Sequence, residues 1–215
     1  MPGVIVFLGP SLDRTEAQRI LPASYQPPAA RGDIARAVEQ GAKVICLIDG
    51  VFHQDSAVAH REILLAIRRG IPVIGASSMG ALRAAELDVL GMVGVGKVYR
   101  MFKEGSLESD DEVALVFDPH TGIALSEPLV NIRSTLQAAE KKGVIDAASH
   151  AVLLEAARGL YYPERTYPRI CETVREVISS SVCDAFLEFA RTAGIDVKRE
   201  DAIQALKYIR DRILS

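Results

Sequence analysis

The sequence predicts an α/β protein: a doubly wound, mainly parallel sheet followed by a helical C-terminal part. Three observations point there. Residues 4–8, 44–48 and 72–75 are short apolar runs rich in β-branched residues, the pattern of strands buried on both faces. Helical patterns alternate with these runs through short connections. From Asp146 onward the chain reads as helices only. The expected organisation is an α/β domain over residues 1–125 and a helical region over residues 126–215.

Val4-Ile-Val-Phe-Leu8 should be the first strand, with Gly9-Pro10-Ser11 as its C-terminal loop. Ser11 or Asp13 can cap a short helix over residues 14–20. Three prolines make residues 21–28 irregular or edge-like. Asp33 opens a helix that Gly41 closes. Val44-Ile-Cys-Leu-Ile48 is the second buried strand, ended by Asp49-Gly50. Residues 57–69 read as a helix stopped at Gly70. Residues 71–87 then run strand, sharp turn, helix. The glycines of residues 91–96 read as a plain turn, since Gly-x-x-Gly-x-Gly after a helix is the wrong context for a dinucleotide fingerprint. The acidic run 109–112 before residues 113–117 reads as a helix N-terminus. An amphipathic helix ends at Lys141-Lys142-Gly143, and further helices are expected over 147–158, 168–180, 182–193 and 199–213.

The 215 residues suffice for one large α/β domain or a domain with a helical annex, and 49% of them are apolar, enough for a sizeable core. A net charge of −3 argues against non-specific nucleic-acid binding and against a polybasic membrane patch. No run approaches the ~20 apolar residues of a membrane helix. Cys46, Cys171 and Cys183 lack metal-ligand spacing and read as reduced thiols of a cytoplasmic protein. No metal and no cofactor is expected.

The chemistry-bearing stretch is Gly75-Ala-Ser-Ser-Met-Gly80. Ala76-x-Ser78-x-Gly80 is one residue from the Gly-x-Ser-x-Gly nucleophile elbow, in which small residues let strand and helix pass closely. Ser78 is the leading nucleophile and Ser77 the alternative. A serine at a helix N-terminus has N–H groups and a positive dipole end available for an oxyanion. Of the four histidines, His53 lies on the rim of the expected crevice. His60 shares a helix face with Ile63 and Ile67 and should point inward. His120 and His150 have poorer settings. Asp49 ends a buried strand, and Arg83 sits one turn into the helix after the elbow.

Taken together, Gly9-Pro-Ser-Leu12, Gly32-Asp-Ile34, Ile48-Asp-Gly-Val-Phe52, His60-Arg-Glu-Ile-Leu64, residues 75–87, Gly91-Met92 and Asp111-Glu-Val-Ala114 resemble the TfuA-like family. The resemblance implies action beside a YcaO enzyme, which uses ATP to activate a backbone amide for thioamide formation in a ribosomally made peptide or in a protein. It implies that the TfuA-like partner supplies sulfide by hydrolysing the thiocarboxylated C-terminus of a ubiquitin-like sulfur carrier. On that reading Ser78 or Ser77 attacks the thioacid or orients water. His60 serves as base, Asp49 or Glu62 orients it, and Arg83 holds the anion. Ser11, Gly9, His53 and Gly80 line a narrow slot. The alternative is a non-catalytic partner that binds and activates the YcaO enzyme. A nucleotide-binding domain using residues 91–96 is a third reading, and a homo-oligomer stays open.

Overall fold

A computed structural model describes residues 3–52, 56–118 and 121–214. The chain divides into two compact units, Met1–Asp110 with Lys198–Ser215, and Asp111–Val197.

The first unit carries β1 (Val4–Phe7), α1 (Arg14–Ile20), β2 (Ser24–Gln26), α2 (Asp33–Glu39), β3 (Val44–Leu47), α3 (His60–Arg68), β4 (Val73–Ala76), α4 (Met79–Leu87), β5 (Val93–Val95) and α5 (Lys97–Lys103). The five strands form one parallel sheet in the order β2-β1-β3-β4-β5. Every residue of β1, β3 and β4 is buried, because helices cover both faces of the sheet. Side chains alternate between two cores. Val4, Val6, Val44, Cys46 and Ile74 face Ala17 and Leu21 at α1. Ile5, Phe7, Ile45, Leu47 and Val73 face α2, α3 and α4 through Ile34, Ile63 and Ala84.

The last α-helix, α10 (Val197–Tyr208), completes the first core. Ala202, Ala205, Leu206 and the following Ile209 lie on the same sheet face as α1. Asp201 fixes it there. Its carboxylate accepts the backbone N–H groups of Lys97 and Val98, both at 2.7 Å, at the start of α5. Gly96, at φ +101°, leaves room for that carboxylate, since an added Cβ would lie 2.2 Å from its carbon.

The second unit holds α6 (Leu129–Lys141), α7 (Ala147–Gly159), α8 (Tyr167–Thr173) and α9 (Ser180–Ala193) around their own core, which includes Ile132, Leu153, Ile170 and Phe186. Arg165, 1% exposed, is fully engaged there. It donates to the carbonyls of Ala157 (3.0 Å) and Leu160 (2.9 Å) and to the Asp111 carboxylate (2.7 Å).

Two expectations are corrected. Residues 91–96 are not a plain turn: Val93–Val95 pairs with β4 as an edge strand, its three backbone groups ordered by the partner rather than by propensity. The acidic run does not open a helix. A 3-10 turn, Asp110–Glu112, is followed by irregular chain. Asp111 and Glu112 are held instead by ion pairs to Arg165 and Arg133, the latter bidentate with Nε at 2.8 Å.

Candidate functional site

The strand order reverses between β1 and β3, since β1 is followed by β2 on one side and β3 on the other. In open parallel sheets the ligand crevice opens at the carboxyl ends of strands flanking such a reversal. Here the loop after β1 (Gly9 to Ser11) meets the loop after β3 (Asp49 to Phe52). Asp49 joins them: Oδ2 accepts the N–H groups of Gly9 (2.8 Å) and Ser11 (3.2 Å), and Oδ1 accepts the Ser11 hydroxyl (2.6 Å). Backbone bonds from Ala29 to the Asp49 carbonyl and from Val51 to the Ala29 carbonyl, each 2.9 Å, draw the chain after β2 against the same point.

The turn after β4 completes this junction. The Ser77 hydroxyl donates to Ser11 Oγ at 2.9 Å, so Ser77, Ser11 and Asp49 form a continuous chain of hydrogen bonds. All three are buried. Ser77 has φ +67°, the one described non-glycine residue with a positive φ. Such a backbone costs on the order of 1–3 kcal/mol and persists where surrounding contacts over-determine it. The strained residue of this strand-to-helix turn is therefore Ser77, not Ser78. Re-centred on Ser77, the motif recovers its leading glycine, Gly75. The second small position shifts to Gly80. An added Cβ would lie 2.1 Å from the Gly80 carbonyl oxygen at Gly75, and 1.7 Å from the Leu47 carbonyl oxygen at Gly80. Gly80 thus serves close packing of α4 on the sheet rather than substrate contact.

Ser78 is the N-cap residue of α4 and makes no side-chain capping bond. Its N–H donates to the Ala76 carbonyl at 2.8 Å, closing a three-residue turn about Ser77. The Gly80 N–H donates to the Ile48 carbonyl at 3.2 Å. Two of the N–H groups expected to receive an oxyanion are therefore already engaged by backbone carbonyls.

The histidine expectations change most. His60 is the first residue of α3, which starts three residues later than expected, and Ile63 and Ala66 form its buried face. The imidazole nevertheless faces outward, 49% exposed, with Nε2 2.7 Å from Glu86 Oε2. Arg83 donates from Nη1 to that same Glu86 oxygen (2.7 Å) and from Nε to the Val58 carbonyl (3.0 Å). The Arg83 charge is thus matched by Glu86. Glu62 does not orient His60. Its carboxylate accepts the N–H groups of Gly32 (2.8 Å) and Ala59 (3.2 Å), fixing the start of α3. His150 pairs with Glu140 in the second unit. His53 and His120 lie outside the described residues. Neither described histidine bonds to Ser77 or Ser78.

Beside the elbow lies an open cleft of about 510 Å³, whose apolar wall is Phe52, Ala57, Met79 and Leu82 and whose charged rim is Arg83, Glu86, Glu108 and Asp110. Among the described residues no cluster of three or more histidine, cysteine or carboxylate side chains could hold a metal ion. No described helix is long and apolar enough to cross a membrane.

The model of the TfuA-like protein family matches residues 49–166, more than half of the chain. The chain belongs to the TfuA-like family. Within this TfuA-like chain the matched span begins at Asp49 and includes the elbow, Arg83 and the cleft rim, while Gly9 and Ser11 precede it. No curated protein matches the chain.

All three members of the buried chain are among the residues expected from the sequence, with Ser11 expected on the substrate and Asp49 behind a histidine. Their connection could have been read from one signal: both follow buried strands that a parallel sheet aligns at one edge.

Proposed function

We propose that this TfuA-like protein acts with a YcaO enzyme in backbone thioamidation, hydrolysing a thiocarboxylated ubiquitin-like carrier to deliver sulfide. The observation that carries the reading is the strained serine at the strand-to-helix turn, with its hydroxyl donating through Ser11 to Asp49 at the sheet's switch point.

In this mechanism the Ser77 oxygen attacks the thioacid carbon. Its proton passes to Ser11 Oγ while the Ser11 proton passes to Asp49. The tetrahedral adduct breaks its C–S bond as Ser11 gives a proton to the departing sulfur and takes back the one held by Asp49, so that sulfur leaves as hydrogen sulfide ion and Ser77 is left as an ester. Water then hydrolyses the serine ester to a carboxylate and regenerates Ser77. The relay assigns to Ser11 and Asp49 the proton transfer that a histidine performs in other serine hydrolases.

A second reading has its own support: Ser77 and Ser78 are 0% and 2% exposed. In that reading the junction only braces the fold, and the protein docks to and activates the YcaO enzyme without chemistry.

Sulfide release from purified thiocarboxylated carrier separates the two. Ser77→Ala should slow release by about three orders of magnitude or more, while Ser78→Ala leaves it within a fewfold. Equal release by wild type and folded Ser77→Ala would overturn the catalytic reading. Unchanged thioamidation by that variant supplied with free sulfide would show that the docking function survives.

A further inference from the structure

We infer that the cleft beside Met79 is the docking groove for a basic, extended C-terminal segment of the sulfur carrier; the identity of that occupant rests on the proposed function. The cleft adjoins the relay along the chain at two points. Phe52 follows Asp49 by three residues, and Met79 follows Ser77 by two. A chain lying in it would approach the elbow from the side that the loops after β3 and β4 share.

Its chemistry selects the occupant. Phe52, Ala57, Met79 and Leu82 offer an apolar wall. Among the described lining residues Arg83 carries the positive charge, and that charge is matched by Glu86 at 2.7 Å. Glu108 and Asp110 are exposed and form no ion pair or hydrogen bond with any described residue. Among the described residues, the rim therefore presents two carboxylates that pair with no cation. Lysine and arginine suit such a groove, with aliphatic stems along the apolar wall and cationic heads at the rim. The same charges disfavour an acidic tail, and they argue against Arg83 as the anchor of the anionic sulfur.

The test uses two fluorescein-labelled synthetic peptides ending in Gly-Gly with ordinary carboxylates, one bearing lysines at the preceding positions and one bearing glutamates. Binding is read by fluorescence anisotropy on the whole protein. The lysine peptide should bind more tightly than the glutamate peptide, and its affinity should fall with added salt. The double variant Glu108→Gln/Asp110→Asn, both on exposed positions, should weaken the lysine peptide about tenfold and leave the glutamate peptide unchanged or improved. Equal or tighter binding of the glutamate peptide, no binding of either, or an unaffected double variant would overturn the assignment. Because these peptides carry no thioacid, the outcome is independent of hydrolysis. Sulfide release that depends on Ser77 without peptide discrimination would retain the catalytic reading and discard the groove.

Discussion

Two buried carboxylates stand at the same edge of the sheet. Asp49, after β3, and Asp201, reaching α5 just after β5, each accept two backbone N–H groups and are 3% and 2% exposed. Each does the same local work, satisfying loop or helix-start donors that water cannot reach. They differ in what else they hold. Both oxygens of Asp201 are taken by N–H groups, and Gly96 packs against it. Asp49 gathers its two N–H groups on one oxygen and turns the other to the Ser11 hydroxyl, beyond which lies strained Ser77. A buried carboxylate that satisfies backbone donors is thus no sign of function by itself; what sets Asp49 apart, and what the proposed function rests on, is the hydroxyl chain attached to it.

The same isosteric change at both positions sharpens that contrast. Asp49→Asn can keep both N–H bonds on its remaining oxygen, but its amide donates to Ser11 and reverses the hydrogen-bond direction toward Ser77. Release of sulfide should fall by about a hundredfold or more with the fold retained, as loss of a general base does. A smaller effect is expected from Ser11→Ala, which shortens the relay and leaves Asp49 on its N–H groups; about tenfold to a hundredfold slower release with little change in melting temperature is the expected outcome.

Asp201→Asn should do the opposite. One N–H at the start of α5 loses its acceptor, costing about 1–3 kcal/mol of stability in chemical denaturation, while release per folded molecule is unchanged. The pH dependence follows from burial, which raises the Asp201 carboxyl above its ordinary value of 3.8 against the opposing pull of the Lys97 and Val98 N–H groups. The folded state therefore binds the proton more tightly than the unfolded one. The associated stability is present below 3.8 and is lost as pH rises through the raised folded value. Wild type should show this decline in a pH series of denaturation curves, and Asp201→Asn should lack it. The smallest effect is expected at Cys46, whose thiol burial pushes up to about 12. It should resist iodoacetamide at neutral pH in the native protein and react only on unfolding.

How much of this was legible in the sequence depends on where each feature's energy comes from. β1, β3 and β4 announce themselves because strands covered on both faces must be apolar throughout. β5 does not, since three residues containing Gly94 carry no run, and pairing with β4 makes the strand. The helical nature of α10 was legible, but its packing onto the sheet was not, since Ala202, Ala205 and Leu206 specify an apolar stripe without specifying its partner. At the elbow, the spacing of Ala76, Ser78 and Gly80 matched a known motif one residue out of frame. A positive φ at a non-glycine residue is imposed by tertiary contacts and leaves no mark on composition. His60 shows the limit of reading burial from helix spacing. At the first position of α3, sharing a face with Ile63 does not bury the imidazole, which meets Glu86 instead of the core.

The proposed hydrolysis requires Ser77 to be acylated during turnover. Intact-mass and peptide-mapping analysis of protein quenched during turnover with thiocarboxylated carrier tests it directly. The expected result is a carrier–enzyme ester on the peptide containing Ser77, absent from Ser77→Ala and retained in Ser78→Ala. Steady sulfide release with no ester, or an ester on Ser78 alone, would contradict it.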